Sequence, residues 1–180
     1  MIRFVYITLF SLYVSSLQAQ QTGEDVLSWS AGRKLTWKDY KAAPNPCSDA
    51  AATTTTYLSI DYTFSSGGGF SYTIKSFFSR DKSWGRHKSD YILSHEQGHF
   101  DIAEIFARKL HQQMSGYRFN SRSYQKDLDR IYTQVTREKA ALQQQYDRET
   151  NHSIHESKQA EWLKKISRML EETNQWADYR

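Results

Sequence analysis

TTTTYLSIDYTFSSGGGFSYTIKSFF, running from Thr53 to Phe78, decides the fold class. In its first half Leu58, Ile60, Tyr62 and Phe64 share one face, while Ser59, Asp61 and Thr63 share the other. The run SSGGG (residues 65–69) then turns the chain, and Phe70, Tyr72 and Ile74 resume the same alternation. A period of two on both sides of a glycine-rich turn predicts an antiparallel hairpin. Upstream, VLSWS (residues 26–30) and KLTWKDY (34–40) each suit a short strand or turn, and AAPNPCSDAAA (42–52), which holds both prolines, reads as a loop.

Downstream the texture changes. No proline follows Pro46, glycine becomes rare, and the apolar spacing becomes helical. One helix is predicted from Ser89 or Asp90 to Ser115, ended by Gly116. A second, from about Ser123 to Arg148, carries Tyr124, Leu128, Ile131, Val135 and Leu142 on one stripe. ETNHS (149–153) breaks the pattern, with Asn151 or Ser153 available to cap a third helix that carries Trp162, Ile166 and Leu170. Strands first and helices after predict an α+β fold, with a small antiparallel or mixed sheet packed against three C-terminal helices.

The chain has 180 residues, 24 Lys and Arg against 20 Asp and Glu, and a formal charge of +4. That length suits one domain with a real core, and 12 Tyr with 5 Trp argue against disorder. The two signs are interleaved, so no basic tract marks a nucleic-acid partner. MIRFVYITLFSLYVSSLQAQQT (1–22) has Arg3, then an apolar run from Phe4 to Leu17, then Ala19. The run is shorter than the ~18–20 residues of a membrane span and is broken by Thr8, Ser11, Ser15 and Ser16. It reads as a secretory signal cut after Ala19, leaving a single domain from Gln20 to Arg180 in the periplasm or outside the cell, with no stable membrane insertion. Cys47 is the only cysteine, so no internal disulfide is available, and a passive loop thiol is the simplest reading.

Inside the first predicted helix lies HEQGHFDIAE, from His95 to Glu104. Residues four apart on a helix stand one above the other, so His95 and His99 can reach one metal ion. Glu96 lies on the neighbouring flank, suited to a water on that metal. The apolar stripe Ile92, Ala103, Phe106 and Leu110 continues through Glu96 and His99, which turns the motif inward. A carboxylate buried beside two imidazoles costs on the order of several kcal/mol unless a cation or partner balances it. Gly98 suggests close approach of another element, such as a strand. A third ligand is needed. Glu104 lies on the far side of the helix and suits a surface pair with Arg108, Asp101 is badly turned, and His111 is too distant. His152 and His155, in the break between the later helices, remain, and periodicity does not choose between them.

The segments WSAGRKLTWKDYKAAP (29–44), SHEQGHFDIAEIFARKL (94–110) and YDRETNHSIHESKQAEW (146–162) together resemble a family of predicted secreted bacterial zinc-dependent proteases, catalogued as a domain of unknown function (DUF922). Its pattern in the last segment resembles Tyr-Asp-x-x-Thr-x-His followed by Gln and Trp, with Gly usual directly after the His where this chain has Ser153. The resemblance implies His152 as third ligand and a zincin-like HExxH metallopeptidase. His95, His99 and His152 would hold Zn²⁺ and leave one position for water, with Glu96 as general base. Tyr146 is a candidate for stabilising the transition state, though a packing role suits it as well. A hairpin strand could pair with an extended peptide or protein substrate. The rival expectation is a zinc-stabilised envelope protein that binds or assembles without turnover.

Overall fold

The computed structural model describes residues 23–65 and 69–177. The sequence expectation for a signal segment therefore lies outside the described residues, as does most of the turn SSGGG. The hairpin forms as predicted: β3 (Thr56–Phe64) pairs antiparallel with β4 (Phe70–Ser79) from Thr56↔Phe78 to Phe64↔Phe70. A short β1 (Val26–Ser28) adds to the other side of β4, giving the order β1-β4-β3. KLTWKDY supplies a 3₁₀ turn at Trp37–Asp39 instead of a strand. The end of the proline loop forms β2 (Ala52–Thr53), which pairs with β5 (Trp84–Gly85) in a separate two-stranded ribbon.

Three helices follow: α1 (Asp90–Ser115), α2 (Tyr124–Thr150) and α3 (Glu156–Glu172). Ser89 caps α1 by accepting from the Ile92 amide, and Gly116 closes it. The architecture is α+β, a small antiparallel sheet with helices on one face. Leu58 and Ile74 from the hairpin meet Ile102, Ile105, Phe106 and Leu110 of α1. The stripe of α2 (Leu128, Ile131, Val135) and Trp162 and Ile166 of α3 close the same cluster. α1 is thus covered by the sheet and by both other helices, so the polar residues of its middle, from His95 to Arg108, are mostly buried with its apolar ones.

That burial corrects one sequence expectation. Glu104 and Arg108 do pair, with Arg108 Nε donating to Glu104 Oε1 at 2.9 Å, but both are buried. Ser76 of β4 donates its hydroxyl to the other carboxylate oxygen, and Arg108 also reaches the Leu170 carbonyl. Single-helix periodicity puts Glu104 opposite the motif. It cannot show that α1 is enclosed on that side too. A second correction concerns the cap of α3, which is His155 instead of Asn151 or Ser153. Those two residues and His152 form the turn before it, all three with positive φ. Among the described residues, no helix is long and apolar enough to cross a membrane.

Candidate metal centre

The N-terminal segment holds α1 in place at the motif itself. Gln97, between the two histidines, accepts from the Leu35 amide (2.8 Å) and donates to Asp101 (2.7 Å). Asp101 also accepts from the Trp29 indole at 2.7 Å and from Lys34. Gln97 and Asp101 therefore anchor one flank of the helix, leaving His95, Glu96 and His99 to face the opposite side. Gly98 is tight for a different reason from the strand contact suggested by sequence. A Cβ there would stand 2.7 Å from the Tyr146 hydroxyl, so the glycine admits α2.

α2 brings Asp147 to the motif. The His95 Nε2 and His99 Nε2 atoms lie 3.1 and 3.0 Å from one carboxylate oxygen, Asp147 Oδ1. One ligand atom from each of these three residues lies within 4.8 Å of the others. Two donors bound at 2.0–2.1 Å in a tetrahedron stand about 3.3 Å apart, so these separations suit a shared zinc-sized ion. His152 is beside the group and not within it. Its Nδ1 is 3.6 Å from Asp147 Oδ1, and its side chain is 70% exposed on the rim. His155 is the exposed N-terminal cap residue of α3 and is not among the three converging residues, Asp101 and Glu104 are hydrogen-bonded elsewhere in the fold, and His111 faces the Trp176 carbonyl.

The electrostatics follow from this crowding. Burial disfavours charge on both His99 and Asp147, yet the outcome is opposite to burial in each case. The hydrogen bond and charge of Asp147, with Glu96 adding to them, raise His99 above the usual histidine range. The two imidazoles hold Asp147 below the usual carboxylate range. Burial pushes Tyr40 up, and the charge of nearby Glu96 pushes it further. Glu96 itself is buried, and its Oε2 has no hydrogen-bond partner. A buried carboxylate oxygen in this state needs a donor or a cation.

His95, Glu96, His99 and Asp147 line a cleft of about 250 Å³ together with residues 50–54. Of the two hairpin stretches expected to meet a substrate, only Thr53 and Thr54, at the start of the first, reach it. Tyr146 lies behind the site. It is buried, stacks on the His95 ring at 4.4 Å, and donates its hydroxyl to the His95 carbonyl at 3.3 Å. Gln159 of α3 completes the back wall, with Oε1 at 2.8 Å from His95 Nδ1.

Asp147 and Gln159 carried no assigned role in the sequence, although both stand in the family pattern that the last segment resembles. Asp147 follows Tyr146, which extends the inward stripe of α2 by four residues beyond Leu142. A carboxylate at the flank of that stripe, at the helix end nearest the ETNHS break, was the available signal. The family model described as bacterial protein of unknown function (DUF922) matches residues 19–153, well over half of the chain. The chain belongs to this family. The DUF922 match takes in His95, Glu96, His99, Asp147 and His152, and stops before α3. Comparison with curated proteins and with solved structures found no match.

The residues around the His-Glu-x-x-His pair fit a metal ion on two counts. Three acceptor-bearing side chains converge on one point, and Glu96, with one orphaned carboxylate oxygen, lines the same cleft.

Proposed function

We propose that this DUF922 protein is a zinc-dependent metallopeptidase acting in the periplasm or outside the cell. The carrying observation is the convergence of His95, His99 and Asp147 beside an unpartnered Glu96 carboxylate in an open cleft. Imidazole and carboxylate donors suit zinc, which supplies Lewis acidity toward water and a scissile carbonyl. Asp147 is the third ligand in this reading. His152, which the family resemblance implied for that place, sits at the rim and contacts the site through Asp147.

Glu96 is the general base. It accepts a proton from the water that adds to the scissile carbonyl, then returns the proton to the leaving amine as the C–N bond breaks. Tyr146 keeps the His95 ring in place from behind instead of touching the reacting atoms. Substrate backbone has a place to lie along β2. Ala51 accepts from the Arg86 amide at 2.8 Å, so the alternation of an antiparallel pair turns the N–H and C=O of Ala52 away from β5. An extended peptide could add there as a strand, facing a wall of small side chains.

Metal analysis should find about one zinc per chain. His95→Ala, His99→Ala and Asp147→Ala should each lower it sharply. A His152→Ala variant that loses as much would return the third place to His152. Glu96→Gln should keep the metal and lose cleavage of a peptide library by at least about 100-fold. Unchanged cleavage would remove Glu96 as the base. Zinc without any hydrolysis by the unaltered protein would instead favour an envelope binding or assembly role.

A further inference from the structure

Gln159 has the shortest contact to the metal-facing histidines from outside the cleft, and it lies beyond the segment that the family model matches. It is 1% exposed, and α3 is fastened behind the site by Trp162, whose indole donates to Glu149 at 2.8 Å. Four contacts connect Gln159, Tyr146 and His95, one of them the Tyr146 hydroxyl 3.2 Å from Gln159 Oε1, and the other three fit one consistent sense. In that sense His95 Nδ1, 2.8 Å from Gln159 Oε1, would carry the proton, while Gln159 Nε2 donates to the Tyr146 hydroxyl (3.0 Å) and that hydroxyl donates to the His95 carbonyl (3.3 Å).

We infer that Gln159 is a positioning residue that holds His95 with its proton on Nδ1, so that the Nε2 lone pair is free for the metal. This rests on the zinc reading above and deepens it. In the neutral ring, with Nδ1–H committed to Gln159, Nε2 is an acceptor facing Asp147 Oδ1, another acceptor, at 3.1 Å. Two acceptors at that separation are held together by a cation between them. The opposite sense, with the Gln159 amide donating to Nδ1 and His95 Nε2–H donating to Asp147, needs no metal. The two senses make different predictions for a carboxylate at position 159, because a carboxylate can only accept.

The test is zinc affinity by chelator competition on the full chain, read beside thermal unfolding of each variant in excess chelator to verify folding. Gln159→Leu should bind zinc about 10–100-fold more weakly. Gln159→Glu should bind at least as tightly as the unaltered protein, because its carboxylate is a stronger acceptor for Nδ1–H. Nitrogen-15 NMR of the zinc-loaded protein should show the His95 proton on Nδ1. A fold-only role would lower the affinity of Gln159→Glu as much as that of Gln159→Leu, and that result would overturn the inference. Gln159→Leu binding zinc like the unaltered protein would overturn it as well. Failure of the unaltered protein to bind zinc is a separate result that removes the metallopeptidase reading itself.

Discussion

Ser153 has φ of 72°, following Asn151 at 47° and His152 at 51°. Asn151 is an ordinary left-handed helix terminus, its amide bonding back to Arg148. The next two residues lack that excuse. A left-handed conformation costs a residue with a Cβ about 1–2 kcal/mol, and strain of this kind persists where the surroundings enforce it. Here they do: the Ser153 carbonyl accepts from the Tyr91 hydroxyl at 2.7 Å, and its amide faces the Thr150 hydroxyl. The turn sets His152 on the cleft rim. It also explains the Gly that the family pattern resembles at this position, since glycine alone takes this φ without penalty. Both tethers of Ser153 are backbone groups, so Ser153→Gly keeps them. The variant should be more stable by about 0.5–1 kcal/mol, the relief of strain being partly offset by a more flexible unfolded chain. Urea unfolding checks this, and a less stable variant would show that the serine side chain itself holds the turn.

At the scale of elements, α1 and α2 meet closely because Gly98 has no side chain. A Cβ there would stand 2.7 Å from the Tyr146 hydroxyl and 3.0 Å from two of its ring carbons. Alanine normally favours a helix over glycine by about 1 kcal/mol, but this contact is too short to absorb. Tyr146 is fully buried between His95 and Trp162 and has nowhere to retreat. Gly98→Ala should therefore destabilise by about 1–3 kcal/mol. In a Tyr146→Phe background the nearest atom is gone, so the added cost of Gly98→Ala should shrink, as a double-mutant cycle would measure. The same contact shows what was legible in the sequence. Strand alternation and helix spacing are local, and they located the hairpin, α1 and α2 to within a few residues. The spacing of His95, Glu96 and His99 is also local, and it put the motif on an inward face. Asp147 and Gln159 join the site only through the packing of three helices, which no single-element period encodes. Glu104 was misjudged for the same reason: its burial depends on β4 and α3 enclosing α1 from the far side.

At the scale of the whole molecule, the segment before the hairpin ties the two halves together, and its charges make the fold sensitive to acid. Asp39 is buried at the 3₁₀ turn. Burial pushes its carboxyl up, but the Thr36 amide, Arg80, Arg33 and the Thr36 hydroxyl outweigh this and bring it down to about 2. Arg80 donates to it at 2.7 Å from the end of β4, and Arg33 donates at 2.8 Å from the N-terminal segment. A carboxyl whose folded value lies below its unfolded value stabilises the fold in full above about pH 4. That contribution is lost as pH falls toward about 2, where the folded state also takes up the proton. The depression corresponds to about 2 kcal/mol, and exposure of Arg33 lowers its share. Asp39→Asn should therefore be less stable than the unaltered protein at pH 7 by about 2 kcal/mol or more, because it also leaves Arg80 without its closest partner. The gap should narrow as pH falls from about 4 to about 2, because the native carboxyl becomes neutral over that window. Denaturant unfolding at fixed chelator concentration across that range isolates the effect from any metal. A gap that stays constant down to pH 2 would mean that Asp39 contributes by shape and hydrogen bonding alone, and that its charge does not fasten the N-terminal segment to the end of β4.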